Sequence, residues 1–159
     1  MDKLWAPWRI NYIKGKKPKG CIFCLCAKGR GQKSLIFKTR HTLVLLNIFP
    51  YNNGHLMVAP IRHVRDMSQL KDEELLDLMR ALEKAKRLLG KVLEPEGYNI
   101  GINISKAGGA GITGHLHIHI VPRWTGDTNF MPILSDTKII SQSLEELVKR
   151  LKHAQSNKD

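Results

Sequence analysis

The chain has 159 residues, of which 42% are hydrophobic and 25% charged, a composition typical of a folded domain with its own core. No run of about 18 apolar residues is present, the first residues lack the apolar stretch of a secretory signal, and three cysteines do not suggest a disulfide framework. We therefore expect a single cytoplasmic domain that acts as an enzyme or a binding protein. The net charge of +12 attracts phosphate, although a solvated basic surface is the simpler interpretation of each lysine alone.

The first half of the chain predicts three strands. Residues 35–38 (LIFK) and 41–49 (HTLVLLNIF) are apolar and β-branched, which favours a hairpin with its turn at Thr39 and Arg40. The turn-forming cluster PYNNG separates this hairpin from residues 55–60 (HLMVAP), a third strand that ends at a proline.

The second half predicts a long helix, two strands and a final helix. Apolar residues recur every three or four positions over 72–93, and acidic residues lie at the start, where the helix dipole favours them. Residues 98–105 and 115–121 are expected to be strands, the second closed by Pro122, and a capping box begins a helix over about 143–152. The predicted fold class is α+β, a mostly antiparallel five-stranded sheet with one long helix packed on it and a C-terminal helix.

Three histidines alternate with apolar residues in GHLHIHIVP, at His115, His117 and His119. Side chains of a strand alternate between its two faces, so these imidazoles share one face at intervals of about 7 Å. Burying an imidazole without a partner costs about 1–3 kcal/mol, so a row of three needs a reason. An exposed, histidine-rich face is the alternative, but serine, threonine or lysine would serve solvent as well, and we favour a functional site.

A glycine-rich loop, ISKAGGAGITG at residues 104–114, leads into this strand. Glycine permits positive φ and a close approach of the backbone to a ligand, and free N–H groups in such a loop bind anions. Glycine content alone is weak evidence, but next to three imidazoles it predicts a phosphate-bearing substrate.

Together these segments resemble the histidine triad family. HLHIHIVP at 115–122 fits the family's pattern of three histidines separated by apolar residues, PYNNGHLMVAPIRHV at 50–64 resembles its strand-turn-strand segment, and CIFC at 21–24 resembles its N-terminal zinc-type pair. More narrowly, LWAPWRINYI at 4–13 and VPRWTGDTNFMP at 121–132 resemble the bacterial branch that contains diadenosine tetraphosphate (Ap4A) phosphorylases.

The resemblance covers roughly residues 4–140 and implies a HIT-like fold over 1–159. It implies an N-terminal zinc-binding segment (about 1–33), a C-terminal tail (about 123–159) and a homodimer. The implied substrate is a dinucleoside polyphosphate, with inorganic phosphate or water as the acceptor of the transferred nucleotide. Neither a membrane nor a nucleic acid is an expected partner.

The same resemblance implies roles for single residues. His117, the middle histidine, would attack the α-phosphate and carry the nucleotide covalently, with a carbonyl of the glycine loop fixing its tautomer. His119 would bind phosphate oxygens or protonate the leaving oxygen, and His55 would support the triad. The expected substrate contacts are Asn47, Asn103, Gly109, Gly111 and Thr113. The asparagines are equally typical of turns and strand ends, and a lone histidine such as His55 is equally typical of a core.

One departure from the family pattern bears on the acceptor. Many members that hydrolyse their substrate have glutamine four residues before the first triad histidine, where this chain has Gly111. The missing amide weakens the case for a hydrolase and favours phosphate as the acceptor, which is the chemistry of a phosphorylase.

Cys21 and Cys24 have the spacing of half a zinc site. The resemblance adds His63 and His115, which completes a closed structural Zn²⁺ site of two thiolates and two imidazoles. Cys26 and His41 are the substitute ligands, and ordinary buried thiols are the alternative interpretation.

Three functions stay open on this evidence. The first is phosphorolysis or hydrolysis of a dinucleoside polyphosphate. The second is hydrolysis of a nucleoside phosphoramidate by the same histidine chemistry. The third, from another class, is a zinc-stabilised nucleotide- or RNA-binding module with a basic surface and no catalysis.

Overall fold

The computed structural model describes residues 20–128 and 140–156; the first 19 residues of the predicted zinc-binding segment, and residues 129–139 and 157–159 of the predicted tail, lie outside the described residues. In chain order the elements are helix α1 (Ile22–Ala27), strands β1 (Leu35–Lys38), β2 (Thr42–Leu46) and β3 (Leu56–Pro60), helix α2 (Asp72–Leu93), strands β4 (Gly97–Ile102) and β5 (Ile118–Arg123), and helix α3 (Leu144–Ser156). Short 3-10 helices at Gln32–Ser34 and Met67–Gln69 precede β1 and α2. None of the helices in residues 20–128 and 140–156 combines the length and the hydropathy that spanning a bilayer requires.

The five strands form one sheet in the order β1-β2-β3-β5-β4, and every neighbouring pair is antiparallel. This confirms the predicted α+β class with a long helix and a C-terminal helix. β5 lies between β3 and β4, so His119 is opposite Met57 on one side and Gly101 on the other.

The two faces of the sheet bury different side chains. α2 and α3 cover one face, where Ile118 and Ile120 of β5 join the main core, as the alternation predicted. α1 covers part of the other face through Phe23. His115 and His117 contact the Phe23 ring there, so the histidines lie on the α1 side of the sheet.

A carboxylate on α2 fixes the turn between β1 and β2. Asp77 accepts hydrogen bonds from the hydroxyls of Thr39 (2.5 Å) and Thr42 (2.7 Å) and from the main-chain N–H of His41 (3.1 Å). Burial raises the pKa of this carboxyl, but the three donors outweigh burial and hold the pKa below its ordinary value. The charged form of Asp77 therefore ties the helix to the sheet.

The start of β5 differs from the prediction. The strand begins at Ile118, three residues after the expected start at His115. The residues before it leave the ladder because they bond to the end of β3 and the loop beyond. Leu116 donates its N–H to the Val64 carbonyl over 2.7 Å, and His115 lies 2.8 Å from the Pro60 carbonyl.

The predicted ends of four elements were also wrong. β2 ends at Leu46, before the expected end at Phe49. Pro122 lies within β5 and does not end it. β3 pairs with β5 only as far as Ile120, so at Pro122 the only neighbouring strand is β4. The missing N–H of the proline therefore removes no hydrogen bond to β3. β4 stops at Ile102, shortly before Ser105 adopts a φ of 63°. α3 continues to Ser156.

Candidate active site and metal centre

Six aromatic rings form a continuous row on the α1 side of the sheet. In order they are His63, His115, Phe23, His117, His119 and His55. Neighbouring ring centroids are 4.8–5.2 Å apart. The three triad histidines are at most 7% exposed, so the interpretation as a solvated face is wrong. Sequence analysis missed Phe23, because α1 has only six residues and no clear periodicity.

The row begins at a cluster of two thiols and two imidazoles. Cys21, Cys24, His63 and His115 each place one ligand atom within 4.8 Å of the others. Nδ1 of His115 lies 3.2 Å from Sγ of Cys21 and 3.1 Å from Nδ1 of His63, which in turn lies 3.2 Å from Sγ of Cys24. Neighbouring ligands of a tetrahedral zinc ion are about 3.5 Å apart, so the four residues can hold such a metal.

The orientation of His115 suits this cluster. Its Nε2 lies 2.8 Å from the Pro60 carbonyl, which only accepts, so Nε2 carries the proton and Nδ1 keeps its lone pair toward the thiols. The two substitute ligands lie elsewhere. Cys26 is buried in the apolar cluster around Phe23, and His41 lies at the β1–β2 turn.

A carbonyl also fixes the tautomer of His117. Nδ1 of His117 lies 2.8 Å from the main-chain oxygen of His115, so Nδ1 carries the proton and Nε2 keeps its lone pair. The predicted source of this carbonyl was wrong, since it belongs to His115 and not to the glycine loop. Burial lowers the pKa of His117, and the hydrogen bond opposes this only in part. A neutral imidazole with a free Nε2 can act as a nucleophile.

The tautomer of His119 is set through His55. The main-chain N–H of Tyr51 donates to Nδ1 of His55 over 3.1 Å, and the Asn47 amide nitrogen lies 3.3 Å from the same atom. His55 therefore carries its proton on Nε2, which lies 2.9 Å from Nδ1 of His119. The proton of His119 is consequently on its own Nε2, which is buried and has no partner among the described residues.

Both rings of this pair are neutral at neutral pH. Burial, reinforced by His119 and then His117, lowers the pKa of His55 to about 3. Burial, reinforced by His117, lowers the pKa of His119 to about 4. His119 therefore offers a neutral N–H donor to whatever lies beside it.

Some N–H groups of the glycine loop form hydrogen bonds within the loop, and others have no main-chain acceptor among the described residues. Gly109 and Ala110 donate their N–H groups to carbonyls of the same loop over 3.1 and 3.2 Å, so the Gly109 N–H is not free. Gly111 and Thr113 are exposed, and their N–H groups have no main-chain acceptor in the described part of the chain. A side chain at Gly108 would lie 2.4 Å from a carbonyl oxygen of the loop, so this glycine is needed for the turn.

The two predicted asparagines occupy different positions. Asn47 accepts the main-chain N–H of Phe49 over 2.9 Å in the turn after β2. Asn103 lines a pocket together with His119, and its amide nitrogen lies 3.5 Å from the Gly109 carbonyl.

Tyr51 is the residue of this region that sequence analysis missed. Its ring centroid lies 4.6 Å from that of His55 and 5.6 Å from that of His119, and its side chain is 55% exposed. The only signal in the sequence was an aromatic residue in an otherwise polar turn, PYNNG.

The chain is similar to known proteins in sequence and in fold. The HIT domain family matches residues 28–126. "AP-4-A phosphorylase" of Mycobacterium tuberculosis is 33% identical over 156 residues, which span 92% of this chain and 80% of that protein. "Adenosine 5'-monophosphoramidase hnt1" of Schizosaccharomyces pombe is 32% identical over 65% of this chain and 74% of its own. The crystal structure of a Zn-bound histidine triad family protein from Mycobacterium smegmatis has a TM-score of 0.70 at 28% identity, covering 86% of this chain and 94% of that one.

Proposed function

The chain belongs to the histidine triad family, and from that premise we propose that it transfers a nucleotide from a dinucleoside polyphosphate to inorganic phosphate. The observation that carries the proposal is the free Nε2 of His117, which its hydrogen bond to the His115 carbonyl leaves unprotonated in a buried row of rings. We favour Ap4A as the substrate, with ADP and ATP as the products, because a relative that is 33% identical is named AP-4-A phosphorylase.

The first step is attack by Nε2 of His117 on the α-phosphorus. A P–N bond forms, the bond to the bridging oxygen breaks, and the leaving nucleotide takes the electron pair. His117 becomes positively charged in this step, and the His115 carbonyl on Nδ1 stabilises that charge. In our proposal the N–H groups of Gly111 and Thr113 bind the phosphate oxygens, Asn47 binds the ribose, and Asn103 is a further substrate contact.

The state of His119 distinguishes between leaving groups. Its Nε2–H donates a hydrogen bond to the leaving oxygen, which departs as a phosphate anion without needing a full proton. An amine needs the full proton, and a ring whose pKa lies at about 4 supplies it poorly at neutral pH. This favours polyphosphates; phosphoramidates are the second candidate substrates, because of the similarity to the S. pombe monophosphoramidase.

We propose that Cys21, Cys24, His63 and His115 bind a structural zinc ion. Two thiols and two imidazoles at tetrahedral spacing fit zinc, and four protein ligands leave no position open for a substrate. When bound, the metal supplies folding energy and joins α1 to the segment before β5. Phe23, and with it the packing of His117, then depends on the metal.

A homodimer is the assembly that we propose. β4 is the last strand of the sheet in the described part of the chain, and Ile100 on β4 and Ile104 after it are 48% and 47% exposed. An unpaired strand with apolar neighbours favours pairing with a second copy. Sedimentation equilibrium of the purified chain tests this assembly.

Product analysis tests the activity. Zinc-replete protein is incubated with Ap4A, with and without inorganic phosphate, and the nucleotides are separated. We expect ADP and ATP only when phosphate is present. AMP and ATP without phosphate would indicate a hydrolase, and turnover of adenosine phosphoramidate alone would indicate the second candidate. Absence of all turnover, with an RNA affinity that falls steeply with salt, would favour the binding module.

A further inference from the structure

The two cysteines of the metal cluster lie one turn apart at the start of α1. Cys21 is the N-cap of the helix, and Cys24 is its third residue. Their sulfur atoms lie within 4.8 Å of each other. Side chains three residues apart on a helical turn have Cβ atoms about 5–6 Å apart, and a disulfide needs about 3.5–4.5 Å. A small adjustment of this turn therefore joins the two sulfurs.

Phe23 lies on the same turn and contacts the rings at the centre of the row. Its side chain is fully buried, and its ring centroid lies 5.0 Å from that of His115 and 5.2 Å from that of His117. α1 has six residues, of which Phe23 and Cys26 are buried. Because a helix this short has little stability of its own, a change in the turn that carries the two cysteines also moves the Phe23 ring.

His115 connects the same cluster to the nucleophile by a second route. Its Nδ1 lies 3.2 Å from Sγ of Cys21, and its main-chain oxygen lies 2.8 Å from Nδ1 of His117, the contact that fixes the His117 tautomer. A change in the cluster therefore reaches His117 through the Phe23 ring and through the His115 carbonyl. None of the expected substrate contacts takes part, so such a change should affect nucleotide transfer more than nucleotide binding.

The cysteines of the cluster are accessible to small oxidants, and the third cysteine of the chain is not. Cys21 and Cys24 are partly exposed, whereas the side chain of Cys26 is 2% exposed. Sulfurs that bind a metal are thiolates, and the thiolate is the form that reacts with peroxides. An accessible thiolate next to a second cysteine is typical of redox sensors.

We propose that Cys21 and Cys24 form a redox switch, in which hydrogen peroxide converts the thiolate pair to a disulfide, displaces Phe23 and slows nucleotide transfer to His117. One thiolate attacks a peroxide oxygen, the O–O bond breaks and hydroxide leaves, which gives a sulfenic acid. The second thiolate attacks that sulfur, the S–O bond breaks and a second hydroxide leaves. The two sulfurs together lose the two electrons that the peroxide gains. The inference rests on the proposed nucleotidyl-His117 intermediate.

The disulfide changes the cluster in two ways. Two sulfurs on a tetrahedral zinc ion are about 3.8 Å apart and those of a disulfide about 2.05 Å, so the sulfurs approach each other by about 1.7 Å. The two histidines that remain are too few to hold a structural zinc ion. Phe23 moves with the turn, and a misplacement of about 1 Å near a reacting group can cost about 10²-fold in rate.

The test treats the zinc-replete protein with hydrogen peroxide and measures three quantities. Peptide mass mapping identifies the disulfide, a chromogenic chelator measures released zinc, and a single turnover of Ap4A without phosphate gives the rate of AMP transfer to His117. Cys26→Ala is treated in parallel, because Cys21 and Cys24 are then the only thiols. Phe23→Leu keeps both thiols but lacks the ring that contacts His117. Circular dichroism and calorimetric titration with AMP measure the fold and nucleotide binding.

We expect the wild type and Cys26→Ala to form the Cys21–Cys24 disulfide, release zinc, and keep their fold and AMP binding. Their transfer rate should fall about 10–100-fold, as on loss of a group that orients a functional histidine, and a thiol reductant with zinc should restore it. Phe23→Leu should form the same disulfide and release its zinc, but its rate should fall by a smaller factor on oxidation.

Thiols and zinc that survive the peroxide would overturn the switch, as would an unchanged transfer rate after the disulfide forms. Equal factors of loss in the wild type and Phe23→Leu, or global unfolding of the oxidised wild type, would also overturn it. Failure of the reduced wild type to accept AMP on His117 is a different result. It removes the proposed function, and the switch falls with it even where the disulfide forms and zinc is released.

Discussion

The two ends of the histidine row use the same side chain in opposite ways. At one end, Nε2 of His115 donates a hydrogen bond to the Pro60 carbonyl, and the lone pair of its Nδ1 faces two thiols and an imidazole. At the other end, Nδ1 of His119 accepts from His55, and its Nε2–H has no partner among the described residues. The partner of one ring nitrogen thus determines what the other nitrogen of the same ring can do. His117, between them, has a protonated Nδ1 and a free Nε2.

Removal of the middle ring should have the largest effect. No other ring of the triad has an Nε2 lone pair, so His117→Ala should lower Ap4A turnover by at least about 10⁴-fold. Initial rates measure this loss, and calorimetric titration should show that nucleotide binding remains. An alanine variant that binds nucleotide and keeps a comparable turnover would remove His117 from its role.

Cys24→Ala should disrupt the zinc site at the His63 end of the row. Structural zinc contributes folding energy, so this variant should lose its zinc and about 3 kcal/mol or more of unfolding free energy. Metal analysis and denaturant unfolding measure the two effects. Cys26→Ala is the matched control, because it removes a buried thiol outside the cluster and should keep the zinc. Equal zinc content in the two variants would contradict the proposed ligand set.

His55→Phe tests the His119 end of the row. It keeps an aromatic ring beside Tyr51 but removes the hydrogen-bond donor to His119. Loss of a group that orients a functional histidine typically costs about 10–100-fold, and we expect turnover to fall in that range. The freed His119 can then adopt the tautomer that accepts a proton, so the products should shift from ADP toward AMP. His41→Phe is the same exchange outside the row and should change neither quantity. A loss of rate without any shift in products would limit His55 to a packing role.

Outside the row, Asp77 should show a smaller effect that depends on pH. Its pKa is below the ordinary value, so its charged form stabilises the fold above about pH 3.9, the unfolded value, and this contribution is lost as the pH falls toward the folded pKa. Asp77→Asn should lower the free energy of unfolding by about 1–3 kcal/mol at pH 7, and the difference from wild type should shrink as the pH falls below about 4. Glu73→Gln, on the exposed start of the same helix, is the control. A difference that is constant with pH would contradict the role of the charge.

Local patterns were predicted well from the sequence, and the reason is physical. The helix at Asp72–Leu93 has the predicted bounds, because its apolar spacing and acidic first turn are encoded within the segment itself. The start of β5 was missed, because the Val64 carbonyl that draws Leu116 out of the ladder comes from a distant part of the chain.

In the candidate site, too, signals within one segment were predicted from the sequence, and contacts from distant parts of the chain were not. Residue types and spacing indicated the triad and the cysteine pair, and the resemblance added the two histidines that the structure gathers with that pair into the metal cluster. What separates the roles of the histidines could not be read from the sequence. The deciding partners are main-chain groups, the carbonyls of Pro60 and His115 and the N–H of Tyr51, and any residue type supplies these.

His117 and His119 hold opposite tautomers, and long-range ¹H–¹⁵N NMR of the zinc-replete, ¹⁵N-histidine-labelled protein detects the protonated nitrogen of each ring. At neutral pH we expect a proton on Nδ1 of His117 and on Nε2 of His119, with assignments secured by His117→Ala and His55→Phe. A proton on Nδ1 of His119, or on Nε2 of His117, would contradict this expectation, because the first would leave His119 able to activate water and the second would leave His117 without a nucleophilic lone pair.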